Sequence, residues 1–377
     1  MSTYSRRKFL DTMKLGAGAA LGASLLTFPS ATALASVSSF PRRRQGKKLG
    51  IALVGLGYYA KNLLAPALEK TEDCYLAGIV TGTPSKIPEW KEKYNIADKN
   101  VYSYDTFDKI KDNPDIDIIY VVLPNSMHKE YTIRAAKAGK HVICEKPMAL
   151  NPAECREMIA ACDKAKVKLA IGYRLHSEPH TQEIMRLARE KDFGAVKLVE
   201  AADGFKIGDP TQWRLKKALA GGGAMYDVGV YCINGARYAT GEQPIAVTAQ
   251  EYKTDPVKFK EVDETITWQM EFSSGAVATC TTTYAASTER LYVAYEKGWA
   301  ELRPAFGYGP IKGKTNKGEM DIPHTIHQAL QMDDFSRCVK ENKESPVTGY
   351  EGLKDLLVVE AIYKSIASGK KEKVMPV

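Results

Sequence analysis

The chain has 377 residues, 44% of them hydrophobic and 26% charged, and its formal net charge is +8. Such a length buries a large core and leaves room for two domains, while the mild and mostly dispersed positive charge argues against a nucleic-acid partner. Seven scattered cysteines without a C-x-x-C pair predict small buried side chains rather than a disulfide framework. Six histidines form no metal-binding spacing, so we predict no metal site.

The N-terminus carries the features of an export signal. A twin-arginine motif lies at 5–10, a glycine-rich apolar stretch follows at 15–28, and small residues at 33–35 offer a cleavage site. The apolar stretch falls short of the roughly 20 residues that span a bilayer, so we expect no stable membrane anchor. We predict that residues 1–35 are a twin-arginine signal peptide, that residues 36–48 form an N-terminal arm, and that the twin-arginine export machinery delivers a folded, periplasmic protein.

A nucleotide-binding pattern follows the arm. The mostly apolar run 49–54 predicts a strand, and the next six residues read G-x-G-x-x-A. In a dinucleotide site of this kind Gly55 permits the tight turn, Gly57 lets the backbone approach the pyrophosphate, and Ala60 lets the helix pack closely on the strand. The alternative interpretation is an ordinary turn between a strand and a helix.

Strands and helices alternate through the first half of the chain. Strands are predicted at 74–80, 116–123, 141–144 and 167–171, with helices at 59–70, 86–94, 126–138 and 152–165. This alternation is typical of a doubly wound parallel sheet with right-handed crossovers. We therefore predict an α/β Rossmann domain over residues 49–172.

The pattern changes after residue 172. A predicted helix at 179–190 precedes segments of alternating hydrophobicity, and two more helices are predicted at 327–341 and 353–368. The alternating segments are 196–202, 245–253, 264–272, 277–283 and 291–295. Alternation of this kind indicates an antiparallel sheet with one covered face. We therefore expect residues 173–377 to form an α+β domain.

The end of the second predicted strand bears on the choice of nucleotide. Residues 81–86 include Thr81 and Lys86 but no Asp or Glu. An NAD site usually places a carboxylate here for the ribose hydroxyls, whereas hydroxyls and a lysine suit the 2′-phosphate of NADP, which a carboxylate would repel. The sequence therefore favours NADP. The alternative is a surface loop in which Lys86 is merely solvated.

Two further segments follow predicted strands at the edge where parallel sheets bind ligands. Lys146 comes directly after an apolar strand and is followed by a proline that restricts its backbone. An ammonium at this position favours ionisation of a neighbouring hydroxyl and polarises a substrate oxygen. Upstream, residues 123–128 close the preceding strand and cap a helix, and a purely structural capping turn is the competing interpretation of that segment.

A glycine-rich segment at 221–231 leads to the predicted acid–base group. In a helix Asp227 and Tyr231 share one face. That face continues through Asn234 and Tyr238, and a roughly opposite core stripe comprises Met225, Val228, Cys232 and Ala236. Tyrosine suits hydride chemistry because a carbinol needs a base as hydride leaves. The ordinary pKa of tyrosine is about 10, and a nearby cation such as Lys146 would lower it and so help to activate the phenol. The alternative is a solvated polar face.

These segments resemble the Gfo/Idh/MocA oxidoreductase family, over essentially the whole chain. The most specific segments are 55–60, 104–108, 145–147, 172–174, 212–215 and 221–242. Within the family the last stretch is most similar to the sugar oxidoreductases, because Tyr231 stands where many members have histidine. The resemblance implies a Rossmann domain plus a large, open, mostly antiparallel sheet, which belongs to the substrate and oligomerisation domain. Members associate through that sheet, so we expect a dimer or tetramer.

The resemblance also implies a role for each matching position. Tyr231 is expected to be the acid–base catalyst, Lys146 its electrostatic partner and Asp227 a carboxylate that orients the substrate. The cofactor is expected to contact Gly55, Gly57, Tyr58, Tyr59, Thr81, Lys86, Tyr104, Leu123, Pro124, Asn125, His128, Glu145, Lys146, Arg174, Trp213 and Arg214. The chain departs from the family pattern at 204–208, a loop that would border the sugar, so glucose and fructose are open candidates for substrates.

An export signal and a nucleotide site on one chain constrain the reaction. Outside the cytoplasm no nucleotide pool regenerates the cofactor, so we expect tightly bound NADP and a closed redox cycle. The prediction is a periplasmic oxidoreductase that oxidises an aldose to its lactone and passes the hydride to a second sugar in a ping-pong reaction. The alternatives are an NAD-dependent glycosidase of the same superfamily and a one-way NADP-dependent sugar dehydrogenase. A cofactor-bearing binding protein is disfavoured because Lys146, Asp227 and Tyr231 occur together.

Overall fold

The computed structural model describes residues 47–377. The predicted signal peptide and all of the predicted arm except Lys47 and Lys48 lie outside the described residues. At this boundary the Nζ atom of Lys48 donates a hydrogen bond to the Thr71 carbonyl, 2.6 Å away. Residues 47–377 belong to one compact unit, which contains two sheets.

The first sheet is built from six strands in the first half of the chain. They are β1 (Leu49–Val54), β2 (Cys74–Val80), β3 (Val101–Tyr102), β4 (Ile118–Val121), β5 (His141–Cys144) and β6 (Leu169–Ile171). All neighbouring pairs are parallel, in the order β3-β2-β1-β4-β5-β6. The intervening helices are α1 (Ala65–Leu68), α2 (Ile87–Tyr94), α3 (His128–Lys137) and α4 (Pro152–Ala165). This is the strand order of a Rossmann fold, which confirms the predicted fold class.

Strand β1 lies at the centre of this sheet and is buried on both faces. Its last four side chains, from Ile51 to Val54, have no exposed surface, which explains the apolar run in the sequence. The predicted bounds of β2, β5 and α4 match the structure. The strand predicted at 116–123 is shorter at both ends, Ile118–Val121, and the residues after Val121 form a loop at the carboxyl edge.

The second sheet has nine strands and is mostly antiparallel. They are β7 (Val196–Gly204), β8 (Ala246–Tyr252), β9 (Thr265–Glu271), β10 (Val277–Thr283), β11 (Thr288–Tyr295), β12 (Gly298–Leu302), β13 (Gly313–Thr315), β14 (Gly318–Glu319) and β15 (Glu372–Lys373). The order is β14-β13-β12-β11-β7-β10-β9-β8-β15, and only β7 and β10 pair in parallel. The predicted mostly antiparallel sheet is confirmed, although the pattern did not predict the short strands β12 to β15.

Five α-helices follow β6 in the described part of the chain, and two of them pack on the second sheet. They are α5 (Pro179–Glu190), α6 (Lys217–Ala220), α7 (Val230–Thr240), α8 (His327–Lys340) and α9 (Gly349–Ser368). Helix α7 packs across β7, and α9 packs against β8. Along β7 the alternate side chains Val199, Ala201 and Asp203 are buried. Because side chains alternate between faces of a strand, these three point toward the face that α7 covers.

Two helices begin with π-helical turns, which the sequence analysis did not predict. Ala60–Leu64 precedes α1 just after the glycine loop, and Met225–Gly229 precedes α7. Such turns are rare in proteins, and those that do occur often lie at functional sites. The polar face predicted for α7 divides here: Asp227 lies in the π-helical turn, whereas Asn234 donates a hydrogen bond to Asp355 on α9. Tyr238, predicted on the same face, packs edge-on against His176 in the interior, with ring centres 5.5 Å apart.

The seven cysteines are unpaired, and all except Cys338 are buried, as the composition predicts. Among residues 47–377, no group of three or more His, Cys, Asp or Glu side chains is arranged to hold a metal ion. Within the same range, no helix has the length and apolarity that a membrane crossing requires.

Candidate active site

The carboxyl edge of the first sheet meets the π-helical turn before α7. Strands β1, β4 and β5 lead into the glycine loop, the loop at 122–127 and Lys146, and this edge is where parallel sheets bind ligands. Lys146 reaches across to the π-helical turn and bonds to its backbone. Residues predicted as catalytic from two halves of the chain are thereby brought together.

Lys146, Asp227 and Tyr231 form one cluster. The Lys146 Nζ atom donates to the Asp227 carbonyl at 2.5 Å and lies 3.5 Å from the Oδ1 atom of the same residue. It is also 4.5 Å from the centre of the Tyr231 ring. The side chains of Lys146 and Asp227 are only 10% and 17% exposed, so their charges are poorly screened by water. The ammonium therefore anchors the first turn of the helix and lies directly beside Tyr231.

The Asp227 carboxylate is held from several sides. Its Oδ2 atom accepts hydrogen bonds from Arg214 Nε and from the Tyr284 hydroxyl, each at 2.9 Å. Burial alone would raise the pKa of Asp227, but the charges of Arg214 and Lys146 outweigh it and hold that pKa below its ordinary value. Asp227 is therefore ionised, and its Oδ1 atom is available to accept a hydrogen bond from a substrate hydroxyl.

Tyr231 is buried among charged and aromatic groups. Its ring stacks on Phe306 with the ring centres 6.2 Å apart, and the Arg174 guanidinium lies 5.2 Å from its centre. Burial raises the pKa of Tyr231 to about 12; the charge of Arg174 lowers it, whereas Glu145 and Asp203 raise it. The phenol thus keeps its proton at neutral pH, a state suited to an acid.

Several predicted cofactor contacts brace the loops around Lys146. Tyr120 donates to Glu145 Oε1 at 2.7 Å, and burial raises the pKa of Glu145. The two ring nitrogens of His128 lie 2.8 and 2.9 Å from the carbonyl oxygens of Leu123 and Pro147, so the ring joins both loops. Asn125 donates to the Ala220 carbonyl at 2.8 Å and ties the loop after β4 to the second domain. Leu123 and Pro124 lie in the same loop.

The glycine loop fits a dinucleotide. Gly55 has φ +95°, and a Cβ there would lie 2.4 Å from the Val122 carbonyl oxygen, so only glycine is accommodated. At Gly57 a Cβ would meet no atom within 4 Å, so protein packing does not require glycine, whereas close approach of a dinucleotide to the backbone would. Tyr58 beside it is 74% exposed, and the Tyr59 ring faces Tyr308 of the second domain, 5.5 Å between ring centres.

The end of β2 forms the other side of this loop. The Lys86 ammonium donates to the Leu56 carbonyl at 2.8 Å, which brings its charge to the glycine loop. Thr81 Oγ1 accepts a hydrogen bond from the Thr83 amide at 3.1 Å, and the Tyr104 ring packs against Gly82. Residues 81–86 present hydroxyls and one ammonium but no carboxylate. Thr81, Lys86 and Tyr104 are thus gathered near the glycine loop.

Trp213 and Arg214 come from the second domain, on a short 3₁₀ turn, Trp213–Leu215. A small apolar cluster supports this turn and comprises Ile207, Leu215, Ala224, Phe259, Val262 and Tyr284. The Arg214 guanidinium stacks 4.7 Å from the Trp213 ring and also binds Asp227. Arg214, predicted as a cofactor contact, therefore has a direct link to the predicted catalytic cluster.

Sequence reasoning missed four residues of the site: Asp203, Tyr284, Glu289 and Tyr308. Asp203 on β7 lies opposite Glu289 on β11, and burial followed by the charge of Glu289 raises the pKa of Asp203 to about 8. The strand predicted at 196–202 stopped one residue before Asp203. An acidic residue at the end of an alternating strand was the only signal, and it does not reveal the partner strand.

Known proteins match both domains. The GFO_IDH_MocA model, an oxidoreductase family with an NAD-binding Rossmann fold, matches residues 49–173. The GFO/IDH/MocA C-terminal domain model matches residues 181–301. Among solved structures, the aldose–aldose oxidoreductase from Caulobacter crescentus complexed with glycerol is 46% identical, with a TM-score of 0.84 over 87% of this chain and 100% of that one.

Curated relatives are more distant in sequence. D-xylose 1-dehydrogenase (NADP⁺) from Haloarcula marismortui is 26% identical over 325 residues, which cover 83% of this chain and 90% of the relative. Trans-1,2-dihydrobenzene-1,2-diol dehydrogenase from Xenopus laevis is 32% identical over 261 residues, covering 65% and 76%. Because family models match both domains, this chain belongs to the Gfo/Idh/MocA oxidoreductase family and carries an NAD(P)-binding Rossmann domain.

Proposed function

We propose that the protein is a periplasmic sugar oxidoreductase with tightly bound NADP, which oxidises an aldose to its lactone and passes the hydride to a second sugar. This is a ping-pong reaction of the glucose–fructose oxidoreductase type. The observation that carries the proposal is the cluster in which Lys146 contacts both Asp227 and the Tyr231 ring. The similarity to an aldose–aldose oxidoreductase and to an NADP-dependent xylose dehydrogenase supports sugars as substrates.

The protein's own groups handle the proton and orient the sugar. Bound NADP would accept a hydride from one sugar and give it to the next. Tyr231 acts in its phenolate form as the base that takes the proton of the aldose hydroxyl, and the resulting phenol later donates that proton to the second sugar. Lys146 polarises the reacting oxygen, and the ionised Asp227 accepts a hydrogen bond from a neighbouring sugar hydroxyl. Tight binding is consistent with a site assembled from both domains, since Arg174, Trp213 and Arg214 would face the cofactor from the second part of the chain.

Export and assembly complete the proposal. The twin-arginine motif at 5–10 supports export of the folded protein, and the arm at 36–48 would fold over the adenosine end and slow cofactor loss. The nine-stranded sheet would join copies into a dimer or tetramer, which sedimentation would measure.

The test uses the purified native protein, donor and acceptor sugars, and no free nucleotide. We expect equal amounts of oxidised and reduced sugar over many turnovers, quantified by chromatography. Turnover that requires added NADP would instead identify the one-way sugar dehydrogenase. Release of a free sugar from a glycoside, with no net redox change, would identify the NAD-dependent glycosidase.

Replacing Thr81 with Asp is expected to weaken NADP binding relative to NAD. The new carboxylate would lie at the acid-free end of β2 and repel a 2′-phosphate. The nucleotide released on denaturing the purified variant is measured, with Thr83→Ser as a matched control that keeps a hydroxyl nearby. Recovery of NAD alone from the wild-type protein would contradict the NADP assignment.

A further inference from the structure

Arg174 lies between two aromatic rings in the candidate active site. Its guanidinium is 5.2 Å from the centre of the Tyr231 ring and 4.6 Å from that of Tyr308. The residue is only 1% exposed. A full positive charge is therefore held beside Tyr231 with almost no access to water, where charge interactions are strongest.

The hydrogen-bond partners of Arg174 in the described part of the chain are neutral. One terminal nitrogen donates to the Gly307 carbonyl at 3.0 Å and to His327 Nδ1 at 2.9 Å, and the other donates to the Phe306 carbonyl. Burial lowers the pKa of His327 to about 3, so its imidazole is neutral. Lys146, by contrast, shares its charge with the Asp227 carboxylate. Among residues 47–377, Arg174 is thus the cation near Tyr231 that forms no salt bridge with a carboxylate.

Glu289 fixes the backbone of Phe306 and Gly307, the two residues whose carbonyls bind Arg174. Its Oε1 atom accepts hydrogen bonds from the amides of Phe306, at 2.6 Å, and Gly307. The carbonyls of the same two residues accept from Arg174. Glu289 fixes the amides of this segment, and its carbonyls accept hydrogen bonds from Arg174. The Arg174 guanidinium therefore has little freedom to move away from Tyr231.

We infer that Arg174 is a positioning residue for acid–base catalysis: its guanidinium favours the phenolate of Tyr231 and so prepares Tyr231 to take a proton from a sugar hydroxyl. The inference rests on the proposed function, and it adds a role to the cofactor contact expected for Arg174. Burial raises the pKa of Tyr231 to about 12, and Arg174 is the largest influence that lowers it.

Other groups around Tyr231 affect the stability of its phenolate, some favouring it and some opposing it. The charge of Lys146 favours the phenolate, since its ammonium is 4.5 Å from the ring centre. The carboxyl groups of Glu145 and Asp203 oppose it, and the phenols of Tyr59 and Tyr308 also face it. Arg174 also lowers the pKa of Glu145 and of Asp203, so a substitution of Arg174 measures its net effect on Tyr231.

The experiment places a fluorinated tyrosine at position 231 and follows its ionisation by ¹⁹F NMR in the intact purified protein. Fluorination lowers the phenol pKa into a range where the fold survives. In Arg174→Gln we expect the midpoint to rise by about 1–3 pH units, the usual effect of removing an adjacent opposite charge. Arg174→Lys retains the charge and should lie closer to the wild type. Arg174→Met is a second neutral variant, with a side chain suited to a buried position.

Arg237→Lys is the matched control, because Arg237 is also a buried arginine but is paired with Glu351 and Asp355. Its midpoint should equal that of the wild type. An unchanged midpoint in folded Arg174→Gln or Arg174→Met would overturn the inference. The titration needs no sugar, so a shifted midpoint in a protein that fails to oxidise sugars would overturn the proposed function alone. Where sugars are oxidised, the rise of the oxidation rate with pH should move by the same amount as the midpoint.

Discussion

Tyr231→Phe is expected to lower sugar turnover by about 10²–10⁴-fold, the usual contribution of a positioned acid–base group. The ring remains, so its stacking on Phe306 and the fold should persist. Because the pKa of Tyr231 is raised to about 12, the phenol is protonated at neutral pH and the phenolate fraction grows as pH rises. Oxidation of the first sugar should therefore accelerate with pH in the wild type, and the variant should lose that rise.

Single-turnover reduction of the bound nucleotide, followed by absorbance after mixing with an aldose, measures this effect. Tyr226→Phe is the matched control. Tyr226 lies in the same π-helical turn region as Asp227, but its hydroxyl donates to the Leu150 carbonyl at 2.6 Å, so the variant should keep most of its turnover. Near-normal turnover of Tyr231→Phe, with nucleotide content unchanged, would show that another group carries the proton.

Arg237→Met is expected to lower the free energy of unfolding by about 3–5 kcal/mol, because it leaves a buried carboxylate without its ion-pair partner. Arg237 donates to Asp355 and to Glu351, both at 2.6 Å, and Asp355 has no exposed surface. Burial already raises the pKa of Asp355 even with Arg237 present, and losing the guanidinium raises it further. A carboxyl whose pKa is higher in the folded than in the unfolded state stabilises the folded protein at acid pH, and this contribution is lost as the pH rises. The deficit of the variant should therefore grow from acid to neutral pH.

Urea denaturation at several pH values measures this loss. Arg186→Met is the comparison, since Arg186 pairs with Glu183, Glu190 and Asp192 at the surface of α5 and its neighbourhood. Surface ion pairs contribute about 0–1 kcal/mol each, so this variant should lose less stability than Arg237→Met. A loss below about 1 kcal/mol in Arg237→Met would mean that the interior relaxes to admit water to Asp355.

Much of the first domain was predictable because its signals are local. The G-x-G-x-x-A turn, the apolar strand β1 and the acid-free end of β2 are each contained in a few consecutive residues. Alternation of strands and helices then leads to a parallel sheet, whose carboxyl edge gathers Lys146 and the glycine loop. The family resemblance added the roles of Asp227 and Tyr231, which spacing alone left open to a solvated face.

The electrostatics of the site were decided by the tertiary structure. Arg174 and Gly307 are 133 residues apart in sequence, and Tyr284 and Asp227 are 57 apart. No periodicity links such positions, because their contact depends on the register of β7 with β11 and on the packing of α7 over β7. The sequence by itself therefore determined the fold class, the nucleotide loop and the candidate catalytic residues. Only the folded chain decided which cation faces Tyr231 without a salt bridge to a carboxylate of residues 47–377, because burial and long-range pairing set that charge balance.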